Sequence, residues 1–186
     1  MRRRYEKFYS SAAGKDMELL TFGHYGPPMI VFPSEGGRFY DFEDHGMTEA
    51  IKHLLEAGKL KLYCVDRLDD SWLVSDANNE QLSLKQAVYQ NYIVQDLLPA
   101  IYMDCKSSVP IGLIGCNLGA YQAANFALKF PHLFHYALCM SGRYDLEAAT
   151  GLYSRELYIN NPMAYVANLH GEALEQIQHH THLVLV

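Results

Sequence analysis

Basic residues are in deficit: 15 Lys and Arg stand against 21 Asp and Glu, a net charge of −6 over 186 residues. A nucleic-acid surface needs clustered Lys and Arg, so that class of partner is excluded. The single basic run, Arg2-Arg3-Arg4, leads into Tyr5-Glu6-Lys7 and reads as a solvated N-terminus. A secretory leader would need an apolar segment of about 7–15 residues behind such a run. None follows, and no stretch of roughly 18 apolar residues exists to span a bilayer. The expectation is a cytoplasmic protein without a membrane partner. Cysteine is sparse as well. Cys64, Cys105, Cys116 and Cys139 form no C-x-x-C pair, which excludes short-spaced zinc ligation. Cys64, Cys116 and Cys139 fall in or beside apolar runs and are expected to be reduced, buried thiols.

What is abundant is apolar and aromatic surface: 49% hydrophobic residues, with 14 Tyr beside one Trp. That content rules out disorder. A chain of this size buries roughly 70% of its unfolded surface. No repeat or linker interrupts it, so residues 1–186 read as one domain.

Short apolar runs alternate with helical periodicity, the pattern of a mostly parallel sheet covered by helices. Strands are predicted over 17–22, 29–32, 60–65, 111–114, 136–140 and 182–186. Met47, Ala50, Ile51, Leu54 and Leu55 mark one face of a helix that should stop at Gly58. A polar loop is expected over 69–81. Ser83 is a candidate N-cap for a second helix, with Leu84, Ala87, Val88, Val94, Leu97, Leu98, Ile101 and Tyr102 as its apolar face and a bend at Pro99. Asn161-Pro162 should open a further helix.

The most informative segment is 111–130. A buried strand runs into Gly115-Cys116-Asn117-Leu118-Gly119 and then a helix with Ala120, Ala123, Ala124 and Ala127 on one face. This is the layout of a nucleophile elbow, whose central residue is lifted above the sheet and whose neighbours must be small. Gly112, Gly115 and Gly119 lack the G-x-G-x-x-G spacing of dinucleotide binding, and no Gly-Lys-Ser/Thr follows for a P-loop. No cofactor and no metal is expected. His179, His180 and His182 cluster without a carboxylate or thiol at ligand spacing.

These residues resemble the esterase group of α/β hydrolases that includes S-formylglutathione hydrolase and the mycolyl-transferring esterases. The resemblance rests on residues 31–37, 40–46, 65–66, 114–124 and 140–142. It implies a three-layer α/β-hydrolase fold, with helices on both faces of the sheet and truncation near the seventh strand. In that group the elbow reads G-x-S-x-G and the serine attacks an ester or thioester carbonyl. One oxyanion-hole N–H comes from the residue after the serine, here Leu118. The other comes from the loop after an earlier strand, here the loop 34–37 with Glu35 and Gly36.

Two departures stand out. The nucleophile position holds Asn117, whose amide nitrogen is not nucleophilic because its lone pair is delocalised into the carbonyl. Loss of the serine costs such a mechanism roughly a millionfold in turnover. Asn does tolerate the positive φ of an elbow. Second, residues 183–186 look like the group's seventh strand, a buried one, and the group's histidine is absent from its expected place after the eighth. Asp145 is a weak candidate for the acid, against a reading as a helix cap. His24 and His45 sit in loops that could approach the top of the sheet, and His132 and His135 lie at the wrong end. Cys116 beside the apex reads as a structural thiol.

Three functional readings follow. The first is an esterase scaffold taking a small acyl-ester ligand, its chemistry disabled at Asn117 (a pseudoenzyme). The second is a non-catalytic α/β-hydrolase-fold protein that binds a ligand or partner over the same cleft. A third, an Asp nucleophile masked as its amide, is disfavoured by the esterase resemblance. The exposed edge of the final strand suggests pairing with a second copy.

Overall fold

The computed structural model describes residues 1–68, 79–151 and 153–186. The chain opens with β1 (Arg3–Ser10) and β2 (Lys15–Phe22), paired antiparallel from Arg3 opposite Phe22 to Ser10 opposite Lys15. β3 (Pro28–Phe32) is followed by three short helices, α1 (Asp41–Asp44), α2 (Met47–Ala50) and α3 (Lys52–Glu56). Gly58, at φ 64, closes the last of them, as expected of a left-handed C-terminal glycine. β4 (Lys61–Val65) comes next, then α4 (Asn79–Asn91), a π-helical stretch (Tyr92–Leu97) and α5 (Leu98–Cys105). β5 (Ile111–Cys116), α6 (Leu118–Lys129) and β6 (Phe134–Met140) follow. The last part holds α7 (Leu146–Thr150), α8 (Arg155–Tyr158), α9 (Pro162–Tyr165), a 3-10 turn (Val166–Asn168), α10 (Gly171–His180) and β7 (His182–Leu185).

The strands form one sheet in the order β1-β2-β4-β3-β5-β6-β7. β1 and β2 are antiparallel to their neighbours, and the other five run parallel. The C-terminal ends of β4, β3, β5, β6 and β7 therefore share one pole of the sheet. Alternate residues feed two cores. Ile30, Phe32, Tyr63, Val65 and Leu113 pack with Tyr92, Ile93 and Phe126 from the α4–α6 side. Val31, Leu62, Cys64 and Ile114 pack with Leu55 on the other. Each large apolar side chain so buried contributes about 1.5–3 kcal/mol. The expected three layers are present.

Several sequence expectations need correction. Arg3 and Arg4 are not a loose terminus but part of β1, whose alternation is inverted: Tyr5 and Tyr9 face out while Arg4, Glu6, Phe8 and Ser10 turn inward. Ser83 lies inside α4 rather than at its N-cap, because the good helix formers Glu80, Gln81 and Leu82 already propagate the helix. The expected 69–81 loop falls mostly outside the described residues, and 79–81 are helical.

The inward face of α4 is rotated from the one predicted. Leu84 and Ala87 are exposed, whereas Leu82, Gln86, Tyr89 and Ile93 are buried. The buried stripe includes a polar residue because Gln86 and Gln122 exchange amide hydrogen bonds of 3.1 and 3.2 Å. The bend expected at Pro99 takes the form of the preceding π-helical stretch, whose wider turn accommodates a ring that lacks an N–H. β7 was expected to be buried but is exposed along its whole length, since it is an edge strand paired only with β6.

Candidate active site

β5 and α6 meet at Asn117, which takes φ 54 and ψ −114. The reversal is as sharp as the residues around it permit. A β-carbon on Gly115 would stand 2.1 Å from the carbonyl of Gly119, and one on Gly119 would stand 2.6 Å from the Phe32 oxygen. Only hydrogen fits at either place. The alanines of α6 complete the approach, since Ala120, Ala123, Ala124 and Ala127 are all buried against the sheet. The apex backbone is fixed by three hydrogen bonds. Asn117 N–H donates to the Met140 carbonyl (2.9 Å), and its own carbonyl accepts from Ala120 (3.1 Å) and Tyr121 (3.2 Å). Its side-chain amide is half-buried and has no partner among the described residues.

Leu118 N–H, at the positive end of the 12-residue α6, makes no hydrogen bond among the described residues. Phe32 pairs opposite Gly115, so the glycine-rich loop 34–37 leaves β3 beside the elbow. Asp41 organises that loop. Its carboxylate accepts from Ser34 N–H (3.0 Å) and Ser34 Oγ (2.8 Å), and it lies so close under Gly37 that a β-carbon there would be 2.6 Å from Asp41 Cγ. Gly37 N–H donates to the Ser34 carbonyl. The N–H groups of Glu35 and Gly36 are left unpaired among the described residues.

Arg38 closes the loop. Its guanidinium donates to both oxygens of the nearly buried Asp66 (2.7 and 2.6 Å) and to Glu18 (2.7 Å). The Asp66 bonds, which outweigh partial burial, hold Arg38 well above its ordinary value. The sequence reading missed both Asp41 and Arg38. Isolated charged residues after a glycine pair carry no periodic signal.

The other candidates are dispersed. Asp145 caps α7, accepting from Ala148 N–H (3.2 Å) and from Asn161 Nδ2 (3.0 Å), and these bonds lower its carboxyl below the usual range. No described histidine bonds Asp145 or Asn117. His24 lies at the opposite pole, because β2 runs antiparallel to β4 and ends where the parallel strands begin. His45 does stand on the elbow's side, with Nδ1 3.3 Å from Asp41 Oδ1. His135 and His180 meet ring to ring at 5.9 Å near the far pole, and no group of three metal-ligating side chains occurs among the described residues.

Cys64 and Cys139 are buried as expected, and burial pushes the Cys139 thiol up to about 11, partly offset by a hydrogen bond with Tyr144. Cys116 is exposed, contrary to expectation. It shares a sheet face with Ile114 rather than with the residues packed on α6.

No family model matches the chain, and no curated protein matches it in sequence. Solved structures do resemble it. A ferulic acid esterase superposes with a TM-score of 0.73 at 11% identity, covering 94% of this chain and 74% of that one. An S-formylglutathione hydrolase from Agrobacterium tumefaciens gives 0.70 at 12%, covering 99% and 84%. MPT51 (FbpC1) of Mycobacterium tuberculosis gives 0.60 at 14%, covering 97% and 67%. The chain has the α/β-hydrolase fold, and these structural neighbours come from the esterase group that its sequence resembles. No helix among the described residues is long and apolar enough to cross a membrane.

Proposed function

We propose that this chain is an esterase-type hydrolase scaffold that holds an acyl ester or thioester by its carbonyl oxygen without turning it over. The observation that carries this reading is Asn117 at the elbow apex, with its amide unpaired beside the free N–H of Leu118. Leu118, Glu35 and Gly36 are assigned as the oxyanion donors, which would act on the carbonyl oxygen in a site where charge–dipole interactions are strong. Asn117 is assigned the nucleophile's place without its chemistry, since its amide nitrogen's lone pair is delocalised into the carbonyl and its N–H protons are far too weakly acidic for an imidazole to take. Asp145 serves as a cap to α7 in this reading, because its carboxylate is engaged by the helix N-terminus and Asn161. The non-catalytic binding protein is the second reading, favoured because no histidine bonds Asn117 among the described residues.

Two measurements test the proposal. Hydrolysis of p-nitrophenyl acetate by the chain should stay at the level of Asn117→Ala. Asn117→Ser in this chain should gain no more than roughly 10³–10⁴-fold over water, since no histidine bonds position 117 among the described residues. Methylphosphonate, a tetrahedral oxyanion, should shift the amide resonances of Leu118 and Gly36. Turnover at a serine-esterase rate with Asn117 in place would overturn the account. Absence of any phosphonate response at those amides would remove the donor assignment.

A further inference from the structure

A cavity of about 740 Å³ opens at the pole opposite the elbow, between the turn 24–28, the start of β4, the end of α5 and Tyr136 of β6. Its volume falls in the range of about 300–1,000 Å³ typical of small-ligand sites. Nothing in the reading of the elbow uses it.

The walls are set before any ligand arrives. Gly26 takes φ 111 with its α-carbon pressed on the next turn: a β-carbon there would lie 2.7 Å from the Gly58 carbonyl oxygen. Pro27, Pro28 and Pro110 stiffen the same rim. Tyr25 and Tyr136 both line the cavity and are 74% and 56% exposed, a large aromatic surface left in water. Tyr136 is held in place by stacking on His182, with ring centroids 5.4 Å apart.

The charge of the cavity lining is opposite in sign to that of the whole chain. Lys61, only 7% exposed, donates to Asp104 at 2.6 Å, and Arg4 and Tyr63 donate to the same carboxylate. That aspartate is therefore fully engaged. Lys106 stands at the rim with φ 55, and its ammonium has no partner among the described residues. Two lysines against one aspartate leave the lining positive in a protein of net charge −6. Such a cavity favours an anion by its charge and a flat, apolar body by its two rings.

We propose that this cavity binds a small aromatic monocarboxylate, with the ring against Tyr25 and Tyr136 and the carboxylate at Lys106. The probe is benzoate, titrated into the ¹⁵N-labelled full chain. Saturable shifts are expected at the amides of Tyr25, Lys106 and Tyr136, within the millimolar range. Lys106→Glu, at an exposed position outside both cores, should weaken binding at least about tenfold. Cyclohexanecarboxylate and benzyl alcohol, which each keep one half of the chemistry, should bind more weakly than benzoate. Shifts that do not saturate, equal binding by Lys106→Glu, or equal binding of cyclohexanecarboxylate would overturn the proposal. So would shifts centred on Leu118 and Gly36, which would place the carboxylate at the elbow instead. The reading of the elbow stands or falls separately, since Asn117 lies at the other pole.

Discussion

Gly115 stands directly behind Gly119, with room between strand and helix for a hydrogen and nothing larger. Overpacking costs about 1–3 kcal/mol where side chains can yield, and here the obstacle is backbone. Gly115→Ala is expected to lose at least about 3 kcal/mol, which for a chain of this size lowers the melting temperature by about 6 °C or more. Thermal denaturation followed by circular dichroism reads this directly. A variant that melts with the parent would mean that the elbow is looser than its geometry.

Acid sensitivity should be traceable to Asp104. Burial works against its ionisation, but hydrogen bonds from Arg4, Lys61 and Tyr63 outweigh that and hold the carboxyl well below its usual range. A carboxylate depressed in the folded state contributes fully above its unfolded value of about 3.9 and loses that contribution as pH falls below it. Asp104→Asn should cost about 3 kcal/mol at neutral pH, because it strands the buried Lys61. The gap between parent and variant should close below about pH 4. Urea denaturation as a function of pH checks both limbs.

Lys129 predicts the opposite limb. Burial lowers its ammonium to about 8, and its partners are the amide oxygens of Gln90 and Asn160, with no carboxylate. Below that value it is charged in both folded and unfolded chains, so the desolvation cost is present in full. The cost disappears as pH climbs from about 8 to the unfolded value near 10.4, so stability should rise across that window. Lys129→Met should melt higher than the parent at pH 7 and lack the alkaline rise. Asn160 Oδ1 keeps a donor in the variant, from Gln90 Nε2 at 3.3 Å.

β7 offers unpaired backbone along its outer side, with Val184 and Leu185 more than half exposed. We propose that two copies pair along this strand at high concentration. Sedimentation velocity should show a dimer that Leu185→Pro dissolves, since proline removes a donor from the edge. A monomer at every concentration would set the idea aside.

The parallel sheet and the elbow were legible because they rest on strong local signals: apolar runs of strand length, and small residues at fixed offsets around Asn117. What escaped was decided by pairings distant in sequence. β1 was hidden because its inward positions are filled by Arg4 and Glu6, and Arg4 turns in only because Asp104, a hundred residues later, is there to receive it. The inward face of α4 was misjudged because buried Gln86 satisfies its amide on Gln122. The anchoring of the glycine loop by Arg38 was invisible because Glu18 comes from β2 and Asp66 from the residue that follows β4. In the first two cases a polar group sits where periodicity expects an apolar one, and its partner lies beyond the reach of any local window.

The left-handed backbone at position 117 has a genetic corollary. Asparagine codons differ from two serine codons only at the middle base, adenine against guanine. One transition would thus deliver a hydroxyl to a turn whose curvature and glycine neighbours are already in place. The shape that catalysis in this fold depends on can therefore outlast the reactive group, or precede it, across a single mutational step.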